Sequence, residues 1–140
     1  MLEKNILNLK IISLLVNVQD QTKINEIFKT FKVDTAYHAA AYKHVPLVEE
    51  NISESIKNNV FATLAVTKAA LSHSVENFVF VSSDKAVRPT NIMGASKRLA
   101  ELCVQGLYQN AKNNEIKMSI VRFGNVLESS GSVIPKFKKQ

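Results

Sequence analysis

Three polar residues of different chemistry follow one another directly after a short apolar run. Ser83, Asp84 and Lys85 carry a hydroxyl, a carboxylate and an amine just beyond residues 77–82, which read NFVFVS. Such a triplet is often only a turn with an Asp cap. At the edge of a pocket, however, the same groups would supply a hydrogen-bond donor, an acid and a base. We interpret them as candidate proton-transfer groups.

Two other stretches have unusual sequences after apolar runs. Residues 38–44 read HAAAYKH, and residues 122–125 read RFGN. The small side chains of Ala39, Ala40 and Ala41 would let a flat ligand lie close to the backbone. Ordinary helix–sheet packing would also explain three alanines, so both interpretations stay open here.

The histidines do not indicate a metal site, and the cysteine does not indicate a catalytic thiol. His38 and His44 stand six residues apart without a Cys or a carboxylate near them in the sequence, so we expect no metal site. Cys103 is the only cysteine, which excludes a disulfide within the chain and fits a reducing compartment. We interpret Cys103 as a helix core residue.

The composition is that of an ordinary globular domain. The chain has 140 residues, 46% hydrophobic and 21% charged, with a net charge of +6. The lysines are spread out, apart from a run near the end of the chain, and no aromatic–basic motif accompanies them, so nucleic acid is not an expected partner. No apolar stretch is long enough to cross a bilayer, and no signal peptide is visible. We expect a cytoplasmic protein, at the inner membrane face if the parent gene has a membrane region.

Short apolar runs alternate with helical patterns, and this alternation predicts the elements that position the polar residues. The predicted strands are residues 11–17, 33–38, 77–82 and 117–123. The predicted helices follow the N-cap Asp20, cover residues 48–72 and 92–112, and begin again near Val133. The expected core positions include Ile24, Ile27, Phe28 and Phe31 in the first helix and Leu99, Leu102, Val104 and Leu107 in the third.

Strands that alternate with helices predict an α/β fold. We expect βαβ units with right-handed crossovers and a Rossmann-like parallel sheet with helices on both faces. Ligands of such sheets bind at the carboxyl ends of the strands, which is where the three unusual stretches begin.

The sequences at these strand ends resemble those of one known family. They are residues 38–50 (HAAAYKHVPLVEE), 57–60 (KNNV), 81–101 (VSSDKAVRPTNIMGASKRLAE) and 121–137 (VRFGNVLESSGSVIPKF). Over residues 11–140 the chain resembles the CapD-type polysaccharide-biosynthesis proteins, which are extended short-chain dehydrogenases/reductases. The resemblance implies a nucleotide-sugar 4,6-dehydratase, a lyase that uses NAD (or NADP) to convert UDP-N-acetylglucosamine into a 4-keto-6-deoxy sugar for a surface polysaccharide or glycan.

The resemblance also implies a role for each matching position. The catalytic residues would be Ser83, Asp84, Lys85 and Lys97, of which Lys97 also holds the nicotinamide ribose. The other cofactor contacts would come from Asn17, near the adenine, and from Ala39, Ala40 and Ala41. The substrate contacts would come from Lys43, His44 and Asn125, and the helix residue Asn59 would support the active-site strands. Lys85 would remove the C5 proton, and Asp84, held protonated, would donate to the departing C6 hydroxyl.

Two departures from the family pattern are large. Met93 stands where most short-chain dehydrogenases have a catalytic Tyr, and a thioether cannot exchange a proton. The first glycine is Gly94, so the Gly-rich turn that usually binds the cofactor pyrophosphate is missing, together with the first strands. We therefore expect residues 1–140 to be a partial NAD-binding domain that is inactive alone.

Two alternatives stay open. One is a sugar-nucleotide epimerase or reductase of the same fold, although those enzymes usually keep the Tyr at position 93 and lack the Asp-Lys pair. The other is a non-catalytic fragment that pairs with another polypeptide. The expected partner is a UDP-sugar, and both a homo-oligomer and a complementing fragment are compatible with the sequence.

Overall fold

The computed structural model describes residues 10–111 and 115–124. Its strands are β1 (Thr35–His38), β2 (Asn77–Ser83) and β3 (Lys117–Phe123), which form one parallel sheet in the order β1-β2-β3. Its helical elements are α1 (Gln21–Phe31), α2 (Val45–Glu50), α3 (Ile52–Ile56), a π-helical turn (Lys57–Phe61), α4 (Ala62–Ser72), a 3-10 turn (Asp84–Ala86) and α5 (Ile92–Asn110). The parallel sheet built from βα units is confirmed.

The sheet register brings the polar strand ends together. His38 pairs with Phe80, and Ser83 pairs with Phe123, so the strands end at one edge of the sheet. Asn125, predicted as a substrate contact, and the helix predicted near Val133 lie outside the described residues.

Helix α1 forms where the N-cap residue and the apolar spacing predict it. The Asp20 side chain accepts a hydrogen bond from the Lys23 backbone N–H at 3.0 Å, which caps the first turn. Ile24 and Phe28 are buried as predicted, whereas Phe31 is exposed. The helix ends where Lys32 takes a left-handed conformation with φ 46°.

The prediction of a strand over residues 11–17 is wrong. These residues are described, but they pair with no described strand, and Ile11, Leu14 and Leu15 are exposed. An apolar run becomes a strand only where a neighbour satisfies its backbone groups, and among the described strands β1 pairs only with β2. Val16 still packs against the core.

The helix predicted over residues 48–72 is also corrected. It begins three residues earlier, at Val45, with Pro46 in the first turn, where a missing N–H costs nothing. It is then interrupted at Asn51, which leaves helical geometry at φ −133° and donates its side-chain amide to the Leu47 carbonyl at 2.9 Å. The segment is therefore a chain of short helices.

The core lies on one face of the sheet. The sheet residues in it are Ala36, Phe78, Phe80, Met118 and Ile120. They pack with Ile24 and Phe28 of α1, Val66, Ala69 and Ala70 of α4, and Ala100 and Val104 of α5. On the opposite face of the sheet, Tyr37, Val121 and Phe123 are exposed. The second helical layer expected there is not among the described residues.

The core face of α5 differs from the predicted one. Val104 is buried as predicted and Leu107 is half-buried, but Leu99 and Leu102 are 44% and 47% exposed. The buried positions of this helix are Met93, Gly94, Ser96, Lys97, Ala100, Glu101 and Val104. Cys103, predicted as a core residue, is only partly buried. Apolar periodicity misplaced the face because polar side chains occupy part of it.

Candidate functional site

The turn after β2 holds its three polar residues in one hydrogen-bonded cluster, called here the 83–85 turn. The Ser83 hydroxyl donates to Asp84 Oδ1 at 3.0 Å and accepts from the Lys85 backbone N–H at 3.2 Å. The same N–H lies 2.8 Å from Asp84 Oδ1, to which the Lys85 ammonium also donates at 3.1 Å. The Asp84 and Lys85 side chains are 54% and 39% exposed. The turn thus presents an ion pair to solvent at the end of β2.

Asp84 is a carboxylate in this arrangement. The hydrogen bond from Lys85 lowers the pKa of Asp84, and the hydrogen bond from Ser83 lowers this pKa further. A protonated Asp84, as expected for the acid, would need its pKa to rise, and in this structure the shift has the opposite direction. A carboxylate of this kind accepts a proton before it can donate one.

Gly94 lets α5 approach the 83–85 turn closely, and Gly124 at the end of β3 lies near the same turn. A Cβ on Gly94 would lie 2.4 Å from the Lys85 carbonyl oxygen, so the first turn of α5 rests directly on this backbone. A Cβ on Gly124 would lie 3.9 Å from Asp84 Oδ2. The start of α5, the turn after β2 and the end of β3 therefore converge at one edge of the sheet.

Lys97 lies at the same edge, as predicted. The residue is only 6% exposed, its Nζ donates to the Val81 carbonyl at 2.8 Å, and the Phe80 ring centroid lies 4.5 Å from Nζ. Burial lowers the pKa of Lys97 to about 8, and the negative charge of Glu101 opposes this shift. Lys97 is thus a buried amine on α5 that binds β2 at Val81, two residues before Ser83, and its charge depends on pH.

His38, at the end of β1, is a buried neutral imidazole. Its Nε2 lies 2.9 Å from Thr63 Oγ1, whose hydrogen is already donated to the Asn59 carbonyl at 2.7 Å, so Nε2 is the donor. Its ring stacks on Phe80 with centroids 5.6 Å apart. Burial first, and then the nearby charge of Lys97, lower the pKa of His38 to about 4. His38 therefore acts as a hydrogen-bond donor near neutral pH. Within the described ranges, no group of three His, Cys, Asp or Glu side chains could hold a metal ion.

Asn59 links the loop after β1 to α5. Its side-chain amide donates to the Tyr42 carbonyl at 3.1 Å and to Ser96 Oγ at 3.0 Å, and its Oδ1 accepts from the Tyr42 N–H at 2.7 Å. Asn59 is fully buried in the π-helical turn, where the N–H of Ala62 reaches the Lys57 carbonyl. The amide thus clamps both backbone groups of one loop residue, which fits the predicted supporting role.

The loop after β1 borders an open depression of about 390 Å³. The predicted site residues among its walls are Ala41, Lys43 and His44. Ala39 and Ala40 are exposed beside it in the chain. Asn17, the predicted adenine contact, does not line the depression, and its Oδ1 accepts from the Gln19 N–H at 3.0 Å.

Met93 is buried one helical turn before Lys97. Its backbone carbonyl accepts from the Ser96 hydroxyl at 2.8 Å, which leaves the Ser96 oxygen to accept from Asn59. Position 93 therefore contributes packing to the site and no exchangeable proton.

A fully buried carboxylate lies one helical turn beyond Lys97. Glu101 is 0% exposed and accepts from Arg122 Nε at 2.8 Å, from Arg122 Nη2 at 2.7 Å and from Arg98 Nη1 at 2.9 Å. Burial raises the pKa of Glu101, but the bonds from the arginines outweigh it and bring this pKa to about 2. The buried Ser82 hydroxyl has no hydrogen-bond partner among the described residues.

The whole chain, residues 1–140, matches the family model described as polysaccharide biosynthesis protein. The chain belongs to this family. The *Staphylococcus aureus* capsular polysaccharide biosynthesis protein CapD is 48% identical over 94% of the chain and 22% of that protein. A *Campylobacter jejuni* UDP-N-acetylglucosamine 4,6-dehydratase (inverting) is 37% identical over 88% of the chain and 36% of that enzyme. The *Rickettsia canadensis* UDP-glucose 4-epimerase is 43% identical over 77% of the chain and 32% of that enzyme. The predicted CapD-type resemblance is confirmed, and the chain spans only about a fifth to a third of these relatives.

Solved structures confirm the Rossmann-type fold of this family member. Pen from *Bacillus thuringiensis* is 37% identical with a TM-score of 0.85, over 91% of the chain and 39% of Pen. The *Brucella ovis* UDP-glucose 4-epimerase in complex with NAD is 20% identical with a TM-score of 0.73, over 80% of the chain and 38% of that enzyme. In the part of this polysaccharide-biosynthesis chain that is described, no helix has the length and hydropathy needed to cross a membrane.

Sequence reasoning missed the Glu101 ion pairs in this family member. One signal was available, because Glu101 follows Lys97 by four residues and must share its helix face. A carboxylate on the face that also carries a buried lysine needs cationic partners. The identity of Arg122 as its bidentate partner depends on the packing of α5 against β3.

Proposed function

We propose that this segment carries the proton-transfer residues of an NAD-dependent nucleotide-sugar 4,6-dehydratase that acts on UDP-N-acetylglucosamine. The observation that carries the proposal is the 83–85 turn, where a carboxylate and an amine lie 3.1 Å apart at the strand end next to buried Lys97. A dehydratase needs one group that handles the hydroxyl protons and another that handles the C5 proton. Asp84 and Lys85 supply both, and position 93 supplies neither.

The described residues fit the ribose side of the cofactor. Lys97 offers a buried amine at the carboxyl edge of the sheet, suited to ribose hydroxyls, and Ala39 and Ala40 leave the neighbouring backbone uncovered. Lys97, Ala39, Ala40 and Ala41, with Asn17 toward the adenine, would hold NAD. The cofactor supplies hydride acceptance at C4 and hydride return at C6.

Asp84 carries the hydroxyl proton in this proposal. As a carboxylate it accepts the proton of the C4 hydroxyl when that carbon is oxidised to a ketone. The resulting carboxylic acid then donates the same proton to the C6 hydroxyl, which leaves as water. This sequence explains how Asp84 serves as the acid although its resting pKa is lowered. It also removes the need for a tyrosine at position 93.

Lys85 handles the carbon-bound proton. As a neutral amine it takes the C5 proton, which the C4 ketone acidifies, and it returns a proton to C5 when C6 is reduced. In the described structure its ammonium is paired with Asp84, so Lys85 must first release one proton to the solvent that its 39% exposed side chain meets. Lys43, His44 and Asn125 would hold the sugar nucleotide.

A chimeric enzyme tests the proposal. The matching 123-residue segment of the *C. jejuni* dehydratase is replaced by this chain, and the product from UDP-N-acetylglucosamine is identified. We expect a 4-keto-6-deoxy sugar. Lys85→Ala and Asp84→Ala should each lower turnover about 10²–10⁴-fold while NAD binding stays nearly intact. Met93→Leu is the matched control and should cost little. Near-normal turnover in both variants would show that the roles are wrongly assigned.

A UDP-sugar 4-epimerase is the second candidate. It is favoured by the 43% identity to the *R. canadensis* epimerase. Epimerisation at C4 leaves the C5 proton in place, so Lys85→Ala would then keep its turnover. A C4 epimer instead of a 4-keto product would decide for this candidate.

A further inference from the structure

Glu101 is the carboxylate that interacts with the cationic side chains of Lys97, Arg98 and Arg122. It lies one helical turn after Lys97 on α5, and both residues are buried, at 0% and 6% exposure. Its carboxylate accepts two hydrogen bonds from Arg122 and one from Arg98. Neither arginine is fully buried. One carboxylate therefore serves two guanidinium groups directly and the Lys97 ammonium through space.

The same carboxylate connects the proposed cofactor lysine to the proposed proton carrier. Arg122 stands on β3 two residues before Gly124, which lies next to the Asp84 carboxylate. The bidentate bond to Glu101 thus fixes the end of β3 against α5 at the level of the 83–85 turn. Planar two-point bonds of this kind restrict orientation as well as distance.

No other anion among the described residues is shown to act on Lys97. The groups around its amine are the neutral ring of His38 from β1, the Val81 carbonyl and Phe80 ring from β2, and Glu101 from its own helix. The remaining charges of the cluster are the guanidinium groups of Arg98 and Arg122, which repel an ammonium. Without Glu101, the cationic side chains of Lys97, Arg98 and Arg122 would lie near one another with no anion among the described residues shown to balance them.

We propose that Glu101 is a positioning residue that holds the end of β3 beside Asp84 and shares the buried face of α5 with Lys97. Its negative charge there favours the ammonium form of Lys97. The inference rests on the proposed roles of Lys97 and Asp84. Because Glu101 is 0% exposed, it would act on the reaction only through Lys97 and Asp84, the residues proposed to meet cofactor and substrate. A ribose hydroxyl would then meet a donating ammonium at Lys97 and not a neutral amine.

The titration of Lys97 tests the inference directly. The chain is labelled with ¹³C-lysine, the Lys97 resonance is identified by its loss in Lys97→Arg, and its pH dependence is followed by NMR. Glu101→Gln should lower the pKa of Lys97 below its wild-type value of about 8, because the negative charge of Glu101 raises this pKa. Glu101→Asp should restore most of the wild-type titration. Arg98→Gln, which removes a cation and leaves Arg122 in place, should not lower it.

Amide hydrogen exchange gives the second readout. Phe123 and Gly124 should exchange faster in Glu101→Gln than in Glu101→Asp. If Glu101→Gln does not fold, the double variant Glu101→Gln/Arg122→Gln also removes the unpaired guanidinium, and the pKa of Lys97 should be lower in it than in Arg122→Gln alone. A folded Glu101→Gln in which Lys97 titrates as in the wild type, or a double variant in which it titrates as in Arg122→Gln, would overturn the inference. Neither measurement uses NAD or a UDP-sugar, so failure of the proposed dehydratase reaction would leave their outcome unaffected.

Discussion

Protonation of His38 should destabilise the fold between about pH 6.5 and pH 4. Burial and Lys97 lower the pKa of His38 from 6.5 to about 4, so the unfolded chain binds the proton more readily than the folded chain. The stabilisation is complete above pH 6.5 and is lost progressively as the pH falls from 6.5 to about 4, the pKa of the folded chain. The difference between the two pKa values corresponds to about 3 kcal/mol of unfolding free energy, because one pKa unit is about 1.4 kcal/mol.

Urea unfolding followed by circular dichroism at pH 7, 6, 5 and 4 measures this loss. His38→Gln keeps a side-chain N–H that can donate to Thr63 but cannot titrate, so its unfolding free energy should vary much less over this range. His44→Gln removes an exposed imidazole and is the matched control, which should follow the wild type. Glu101, with a pKa lowered from 4.5 to about 2, loses its contribution as the pH falls from 4.5 to about 2, so its loss overlaps this window only at the acidic end. Parallel pH curves for wild type and His38→Gln would refute the reasoning.

Two further outcomes are expected. Gly94→Ala should destabilise the chain by about 1–3 kcal/mol in urea unfolding, because the new Cβ would meet the Lys85 carbonyl oxygen at 2.4 Å. Gly106→Ala, in the same helix with nothing within 4 Å, is the control and should be neutral or stabilise by up to about 1 kcal/mol. Equal effects of the two substitutions would contradict the close contact at Gly94. Isothermal titration of the 140-residue chain with NAD should show weak binding or none, because its sequence has no Gly-rich turn for the pyrophosphate, whereas micromolar binding would require another phosphate site.

The local elements were predictable where sequence signals agreed with one another. The bounds of β3 match the prediction, and α1 starts after the Asp20 cap with Ile24 and Phe28 buried. These elements combine the right periodicity with clear ends. Residues 11–17 show the opposite case, because their composition favours a strand but pairing depends on a neighbour that local sequence does not reveal.

The sequence allowed us to predict which candidate residues lie together at the edge of the sheet, but not which of them are charged. The strand ends brought the 83–85 turn and Lys97 to one edge as expected. The lowered pKa of Asp84 arises from hydrogen-bond geometry within that turn, which residue types alone do not determine. Glu101 escaped notice for a related reason. Periodicity arguments assign apolar residues such as Leu99 and Leu102 to the buried face, whereas α5 buries Lys97 and Glu101 there.

The π-helical turn at Lys57–Phe61 makes the site sensitive to chain length as well as to residue type. A π turn holds one residue more than the α-helical turn it replaces, and such turns often occur at functional sites. Deleting one residue there could restore regular helical hydrogen bonds, but it would rotate the preceding residues by about 100° around the axis. The Asn59 amide would then no longer face Tyr42 and Ser96 together. A deletion that regularises the helix would therefore release the loop after β1 from α5, so we expect this length to be under stronger constraint than the lengths of the surrounding loops.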